Sequence, residues 1–532
     1  MGTLRTRPVL IVLLLWLGIT ALDLDKAFHI DDTFHLQAAQ WIEHHPATPM
    51  SGPVHWAHDP GTIHEFNQPP GFFYLVALTG HFFGYREVPM HLMRSLFTLL
   101  ALLCMYRLAR HRAPRHALLL TVLLGCCPAL MVNQGLMTDV PLLAMILLFA
   151  VFLLVPGQGS PGWRHAGAAL ALSGALMIKY TALPLLPVFV LALVLRREWR
   201  SLPMVLLPVA VLAAWSAWNL HEYGGIHLLD RQGGDGSVRG IFVRNLALFT
   251  ALGAVSPFTP AFLGAFRRPS PTNLVRGWWA AILMAAVFTA AVYLGWITET
   301  GSDQVLRILF TLNGVLLMVL AIRYLPRSVA AHTAEAWVLA AWALGLALFV
   351  TLFSPMMATR HVLLVLPPLL LLIAPALDRL LPSGRVLAVG TTAILGVLLT
   401  VSDKAYADFF RRHAAPIARQ MAHQTKGTVW SLGHWGWLWY AREAGMATYS
   451  TNTSAVRPGD ILVLPLDIDA QPIAYGLEIE QVARWDEAPS CPTFFNVEQF
   501  AGMYTSSYGK LPWTLSRSHH KTIIAYRVDA VR

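Results

Sequence analysis

Apolar runs close to the length of a membrane-spanning helix recur along most of this 532-residue chain. A helix needs about 20 apolar residues to cross the hydrocarbon core of a bilayer. Charged residues make up 13% of the chain, about half of the roughly 25% that is usual in soluble domains. We therefore predict an all-α polytopic membrane protein with about 13 transmembrane helices. The predicted spans are 8–22, 91–110, 115–133, 136–155, 165–178, 181–196, 202–219, 244–266, 279–297, 304–324, 335–353, 361–377 and 386–402.

The short loops between these spans alternate in charge. Arginines concentrate in loops such as Arg107–His116 and Arg379–Arg385, whereas residues 134–135 and 298–303 contain no lysine or arginine. Basic short loops stay on the cytoplasmic side, so we predict a multi-pass protein of the cell inner (plasma) membrane with a cytoplasmic N-terminus. The same bias accounts for the net charge of +10, and we exclude a nucleic-acid partner. The segments predicted to lie outside are 23–90, 220–243 and 403–532.

The chain divides into two predicted domains. Residues 1–402 form the transmembrane domain, and their first outer loop, 23–90, contains an amphipathic helix at 31–45 and an interfacial helix that starts after Pro69-Pro70. Residues 403–532 are more polar and form a small α/β domain on the outer, periplasmic or extracellular, face. Its predicted elements are strand-like runs at Thr428–Leu432, Asp460–Leu464 and Lys521–Val528 and a helix at Trp437–Glu443.

An acidic pair, Asp31-Asp32, follows the first span. Two adjacent carboxylates repel each other, which favours a raised pKa for one of them. Such a base at the membrane surface could take a proton from a hydroxyl group. On a helix, His35 would share a face with Asp31. The alternative is structural, because Asp32 would also be a good N-cap for the helix that follows.

Three further charged positions are predicted on the same side of the membrane. Asp139 opens the fourth span, as a helix cap or as part of a site. Lys179 and Arg360 are cations outside the basic loops, and His361 follows Arg360. Arginine binds a phosphate through paired N–H groups and lysine binds it as a point charge. A phosphate site and snorkelling anchors at the span ends both fit these cations.

Two features of the outer regions carry weaker signals. No regular metal-ligand spacing is present among His55, His58, His64 and Glu65, so we assign no metal-binding residues and no certain cofactor. Binding of a divalent metal to this loop is the alternative. The aromatic sequence Gly433–Trp437 suits either stacking on sugar rings or an aromatic core.

The order of these motifs resembles that of the GT-C glycosyltransferases. The resemblance is to the dolichyl-phosphate-mannose protein mannosyltransferase-like group, which includes the bacterial aminoarabinose transferase of lipid A. It covers about residues 1–402 and is looser beyond them. The motifs that carry it are Asp31-Asp32, Pro69-Pro70, Asp139-Val140-Pro141-Leu142, Lys179-Tyr180-Thr181 and Arg360-His361 with the later Pro367-Pro368.

The resemblance implies transfer of a sugar from a polyprenyl-phosphate donor to a lipid, glycan or protein acceptor on the outer face. Asp31 takes the position of the catalytic base, and Asp32 replaces the glutamate that is usual in the family. Arg360, Lys179 and His361 are expected to bind the donor phosphate, with Asp139 beside them. The alternative function is a lipid or solute transporter or flippase, for which charged residues near mid-membrane would be expected.

Overall fold

The computed structural model describes residues 3–66, 68–157, 161–231, 233–265, 271–466, 468–487, 493–495, 502–504, 510–516 and 521–532. Most of the described chain is helical. Before residue 158 the helices are α1 Thr3–Asp23, α2 Asp32–His44, α3 Ile63–Phe66, α4 Gly71–Phe83, α5 Glu87–Arg112, α6 Ala117–Gly125, α7 Pro128–Val132 and α8 Asp139–Leu154. They continue as α9 Pro161–Ile178, α10 Leu185–Leu195, α11 Leu206–Tyr223, α12 His227–Asp230, α13 Val238–Val255, α14 Pro271–Tyr293, α15 Glu299–Ala331, α16 Thr333–Phe353, α17 Thr359–Leu363, α18 Leu366–Leu377 and α19 Pro382–Gln424.

Each predicted span overlaps at least one of these helices, but several bounds differ. Six helices within the described residues are long and apolar enough to cross a membrane, so the expected number of spans stays a prediction. Within the span predicted at 115–133 the helix is interrupted between α6 and α7, at Cys126-Cys127 just before Pro128. The span predicted at 361–377 likewise divides into α17 and α18, just before Pro367-Pro368. Each proline removes a backbone N–H donor from the helix.

Residues 429–531 contain a five-stranded sheet of β3 Val429–Ser431, β4 Ala447–Thr448, β5 Ile461–Pro465, β6 Leu477–Glu487 and β7 Lys521–Val531. The order of the strands in the sheet is β4-β3-β5-β7-β6. Strand β3 is parallel to β4 and β5, whereas β7 is antiparallel to β5 and β6. The three strand-like runs and the helix predicted here are present. The predicted helix is α20 Trp435–Glu443, and a short hairpin, β1 Pro53–Val54 and β2 Gly61–Thr62, lies between α2 and α3.

A continuous helix and a pair of hydrogen bonds join this sheet region to the helical bundle. Helix α19 continues through the predicted domain boundary at 402 and carries the chain to the sheet. Tyr440 in α20 accepts a hydrogen bond from the backbone N–H of Phe28 at 2.8 Å and donates one to Glu87 Oε1 at 2.7 Å. The segment that leads to Asp31 is therefore held between α20 and the beginning of α5. Whether residues 403–532 form a separate domain stays a prediction.

Candidate functional site

Four charged side chains from distant parts of the sequence meet where α8 and α17 begin and α9 ends. Arg360 Nη1 lies 2.8 Å from Asp31 Oδ2, and Lys179 Nζ lies 2.7 Å from Asp139 Oδ1. Arg360 Nε is 3.7 Å from Asp139 Oδ2, which joins the two pairs. We call Asp31, Asp139, Lys179 and Arg360 the four-charge cluster.

The members of the four-charge cluster differ in their access to solvent. The Asp31 side chain is 22% exposed, whereas that of Arg360 is 5% exposed and that of Asp139 2%. Lys179 is also buried. Two carboxylates and two cations cancel in formal charge, which is the condition under which buried ions are tolerated. Asp31 is therefore the member that an incoming molecule can reach most easily.

Arg360 keeps hydrogen-bonding capacity beyond its contacts in the cluster. A guanidinium has five N–H donors. Nη1 contacts Asp31 and, at 3.1 Å, the sulfur of Met137. The buried Nε has no hydrogen-bond partner within the described residues, because Asp139 at 3.7 Å is beyond hydrogen-bond length. An additional oxygen, such as one from a phosphate, would satisfy this donor.

Backbone breaks direct two of these side chains into the site. Lys179 is extended, with φ −160° and ψ 132°, between α9 and a 3-10 turn at Tyr180–Ala182. Arg360 lies in the short helix α17, which ends before α18 starts. Asp139 is the first residue of α8, and Thr138 occupies the N-cap position without a side-chain cap. The cap role considered for Asp139 is therefore wrong, since its carboxylate binds Lys179.

Asp32 belongs to a different contact from Asp31. Its carboxylate accepts the backbone N–H of His29 at 2.9 Å and that of Leu136 at 2.7 Å. Asp31, not Asp32, occupies the N-cap position of α2, and it makes no side-chain cap. The cap interpretation of Asp32 is therefore wrong. Burial raises the pKa of Asp32 to about 7, although both backbone donors oppose the rise. Asp32 joins the start of α2 to the segment before α8.

Two glycines allow this close packing. A β-carbon on Gly135 would lie 2.8 Å from both carboxylate oxygens of Asp32. A β-carbon on Gly71, at the start of α4, would lie 2.6 Å from the carbonyl oxygen of Met177. Contacts this short force a neighbour to move. Gly71 thus lets α4 approach the backbone two residues before Lys179.

Comparisons with known proteins agree with this architecture. A family model described as dolichyl-phosphate-mannose-protein mannosyltransferase matches residues 67–218. The apo structure of ArnT from Cupriavidus metallidurans has 14% sequence identity, covers 87% of this chain and 93% of its own, and has a TM-score of 0.52. The chain therefore shares the fold of ArnT. ArnT from the same organism bound to undecaprenyl phosphate has 14% identity, coverages of 88% and 94%, and a TM-score of 0.51. No match was found among curated protein sequences.

His361 and His35 lie near the four-charge cluster but have local hydrogen bonds. His361 is buried, and its Nδ1 accepts the backbone N–H of Ala358 at 3.2 Å. A phosphate-binding role for His361 stays a prediction. His35 Nδ1 lies 2.9 Å from the carbonyl oxygen of Leu136, and its ring packs 5.0 Å from that of Phe73 in α4. His35 therefore supports the packing beneath Asp31.

Burial lowers the pKa of His35 from 6.5 to about 4. Between these values the unfolded chain binds more protons than the folded one, so folded-state stability should fall as the pH is lowered from 6.5 to 4. The resulting change in the free energy of unfolding between pH 6.5 and pH 4 is about 3 kcal/mol. We expect His35→Gln, which cannot titrate, to have a flatter dependence of the unfolding temperature on pH. Thermal unfolding in detergent between pH 4 and 7.5 measures this, and parallel curves for parent and variant would contradict it.

The sequence did not indicate a second buried network beside the cluster. Lys26 Nζ forms an ion pair with Asp403, and Tyr504 Oη lies 2.9 Å from Asp403 Oδ2 and 3.1 Å from Lys26 Nζ. Next to it, Thr359 donates to the carbonyl oxygen of Met503 at 2.7 Å. The only signal in the sequence was a charged residue near each end of the predicted membrane domain, Lys26 and Asp403. The network fixes the C-terminal region against the helix that carries Arg360.

The structure does not bring the four candidate metal ligands between α2 and α4 together. His58 faces His434 at 6.2 Å between ring centroids, whereas His64 faces His227 at 5.0 Å. Glu65 accepts hydrogen bonds from Thr62. Among the described residues, the one group of three candidate ligands is elsewhere, at His111, His332 and Glu335.

The aromatic sequence Gly433–Trp437 lies mainly in the core. Trp437 is fully buried, and Trp439 in the same helix is 7% exposed. The ring of Trp437 packs edge-on against Phe410 of α19 at 6.2 Å. Because a stacking platform must expose a ring face, Trp437 serves the packing of α20 and not sugar binding.

Proposed function

We propose that this protein is a glycosyltransferase of the GT-C type, which transfers a sugar from a polyprenyl-phosphate donor to an acceptor hydroxyl on the outer face of the membrane, with inversion at the anomeric carbon. The observation that carries the proposal is a partly exposed carboxylate, Asp31, held 2.8 Å from the buried guanidinium of Arg360. The first group can accept a proton and the second can bind a phosphate. An ArnT structure of the same fold holds undecaprenyl phosphate, which supports a donor of this class.

The proposed reaction is a single displacement. The acceptor oxygen forms a bond to the anomeric carbon as the bond from that carbon to the phosphate oxygen breaks. The acceptor proton passes to Asp31, and the bonding electron pair leaves with polyprenyl phosphate. Negative charge therefore moves from Asp31 to the phosphate. Arg360 is suited to this change because one guanidinium can pair with Asp31 before the reaction and with the phosphate as its charge develops.

The other site residues receive supporting roles in this proposal. Lys179 provides the second cation for the phosphate. Asp139 positions Lys179 and Arg360, since its two oxygens face both cations. Asp32 positions the Asp31 loop through its backbone hydrogen bonds, and His361 stays a candidate contact to the phosphate. No step requires a metal ion.

The domain arrangement completes the proposal. Residues 1–402 lie in the inner membrane with a cytoplasmic N-terminus, carry the chemistry and hold the lipid tail of the donor among their helices. Residues 403–532 lie on the periplasmic or extracellular side and shape the choice of a lipid, glycan or protein acceptor. The transporter alternative is not favoured, because the four-charge cluster sits at helix ends and not within the apolar part of the bundle.

The test is transfer by the purified protein in liposomes. The assay supplies a panel of labelled polyprenyl-phosphate sugars together with membranes from cells that lack the protein, as a source of acceptors. We expect one donor to label an acceptor fraction, with an anomeric configuration opposite to that of the donor. The proposal fails if no donor on a broad panel reacts while the same liposomes move a lipid or solute across the membrane. Retained configuration would overturn the single displacement.

A further inference from the structure

A basic cavity lies at the end of the helical bundle opposite the four-charge cluster. Helix α5 starts at Glu87, beside Tyr440, and ends at Arg112. Its 26 residues span about 39 Å at 1.5 Å per residue. At the Arg112 end there is a cavity of about 410 Å³ between α5, α15 and α18. A volume of this order is typical of small-molecule sites, which occupy about 300–1,000 Å³.

Three arginines line this cavity, and two of them have no acidic partner among the described residues. Arg112 binds Glu335 at 3.2 Å, and Glu335 also binds Arg196 at 3.0 Å. The Nε of Arg112 is buried without a hydrogen-bond partner. Arg115 and Arg327 are exposed at the cavity, and the guanidinium of Arg327 stacks 5.2 Å from the ring of Tyr324. The cavity therefore has an excess of positive charge.

The other residues that line the cavity are apolar or are paired with one another. Leu371, Ala374 and Pro375 of α18 form one wall. At the edge, His116 Nε2 lies 2.9 Å from Asp378 Oδ1, so this carboxylate already has a partner. A ligand that combines an anionic group with apolar parts would match both kinds of wall.

A metal cation does not fit this end of the bundle well. The ligand atoms of His111, His332 and Glu335 lie within 4.8 Å of one another. However, Glu335 already holds two guanidinium groups, Arg112 and Arg196. A divalent ion would have to displace them or bear their repulsion. The charge balance favours an anion in the cavity.

We propose that this cavity binds the headgroup of an anionic phospholipid. The phosphodiester lies between Arg115, Arg327 and the free Nε–H of Arg112, and the glycerol and upper acyl chains lie along Leu371 and Pro375. Basic pockets between membrane helices on the cytoplasmic side suit such headgroups. On the predicted orientation the lipid comes from the cytoplasmic leaflet. The cavity is separate from the four-charge cluster, and the proposal does not depend on the transfer reaction.

The experiment measures lipid binding to the full-length protein by native mass spectrometry. Phosphatidylglycerol, phosphatidylcholine and inorganic phosphate are titrated separately. The cavity variant combines Arg115→Gln with Arg327→Gln. The control combines Arg107→Gln with Arg110→Gln, which removes two exposed arginines of α5 that do not line the cavity. Because all four side chains are exposed, folding should be retained, and Arg115→Lys with Arg327→Lys preserves the charge.

We expect the parent to bind phosphatidylglycerol more tightly than phosphatidylcholine. Two surface cations at about 1 kcal/mol each predict about 30-fold weaker phosphatidylglycerol binding for the cavity variant. The control and the lysine variant should stay within about threefold of the parent, since an interaction of this kind depends chiefly on charge. Equal weakening in the cavity and control variants would overturn the proposal. So would equal binding of the two lipids, or binding of inorganic phosphate alone.

Discussion

Asp31→Asn is expected to reduce sugar transfer by about 10²- to 10⁴-fold, the usual contribution of a general base. The amide keeps the size of the side chain but cannot accept the acceptor proton. Arg360 still faces Asp139 at 3.7 Å, so the fold should tolerate the change. Initial rates of transfer with a saturating polyprenyl-phosphate sugar measure the effect.

The matched control for this prediction is Asp25→Asn. Asp25 lies in the same loop, is 62% exposed on its side chain and pairs with Lys404 at the surface. Its replacement should leave transfer within about twofold of the parent, because exposed ion pairs contribute little to stability. A loss shared by Asp25→Asn and Asp31→Asn would point to the loop and not to a base.

Arg360→Gln is expected to reduce transfer by about 10²- to 10³-fold, as the loss of one group that stabilises developing negative charge does in other enzymes. It also leaves Asp31 and Asp139 with Lys179 as their remaining partner in the four-charge cluster. Removal of one partner from a buried ion pair costs about 3–5 kcal/mol. We therefore expect a lower unfolding temperature together with weaker donor binding. Arg412→Gln, at an exposed pair with Glu487, is the control.

A double variant separates the two effects of Arg360. Asp31→Asn combined with Arg360→Gln restores charge balance, since Asp139 and Lys179 remain paired at 2.7 Å. The double variant should recover much of the stability lost in Arg360→Gln while remaining inactive. Recovery of transfer together with stability would assign Arg360 a purely structural role.

The sequence predicts a common side of the membrane for the four charges, but it does not predict that they meet and pair. Arginine-rich loops predict the direction of the spans, and the predicted direction puts Asp31, Asp139, Lys179 and Arg360 on one side of the membrane. Helix ends on one side of a bundle can still lie far apart. The pairing requires breaks at Lys179 and after α17 that apolar runs do not reveal, because hydropathy records composition and not backbone direction.

The sequence also could not show that Asp31 and Asp32 make different contacts. Asp32 is held by the N–H of Leu136, a backbone group that any residue type would supply. The same limit applies to Tyr504, whose contacts with Lys26 and Asp403 join three distant parts of the chain. In α19 the apolar part ends near 402, yet the helix continues to Gln424, since the polar residues that follow do not interrupt helical hydrogen bonding.

The most direct test of a base at Asp31 and a phosphate site at Arg360 is to measure donor binding and single-turnover transfer on the same two variants. With a labelled polyprenyl-phosphate sugar, Asp31→Asn should bind the donor about as tightly as the parent and form no product on the parent's timescale. Arg360→Gln should bind the donor more weakly and also fail to react. Transfer by Asp31→Asn at the parental rate, or unchanged donor affinity in Arg360→Gln, would contradict this assignment.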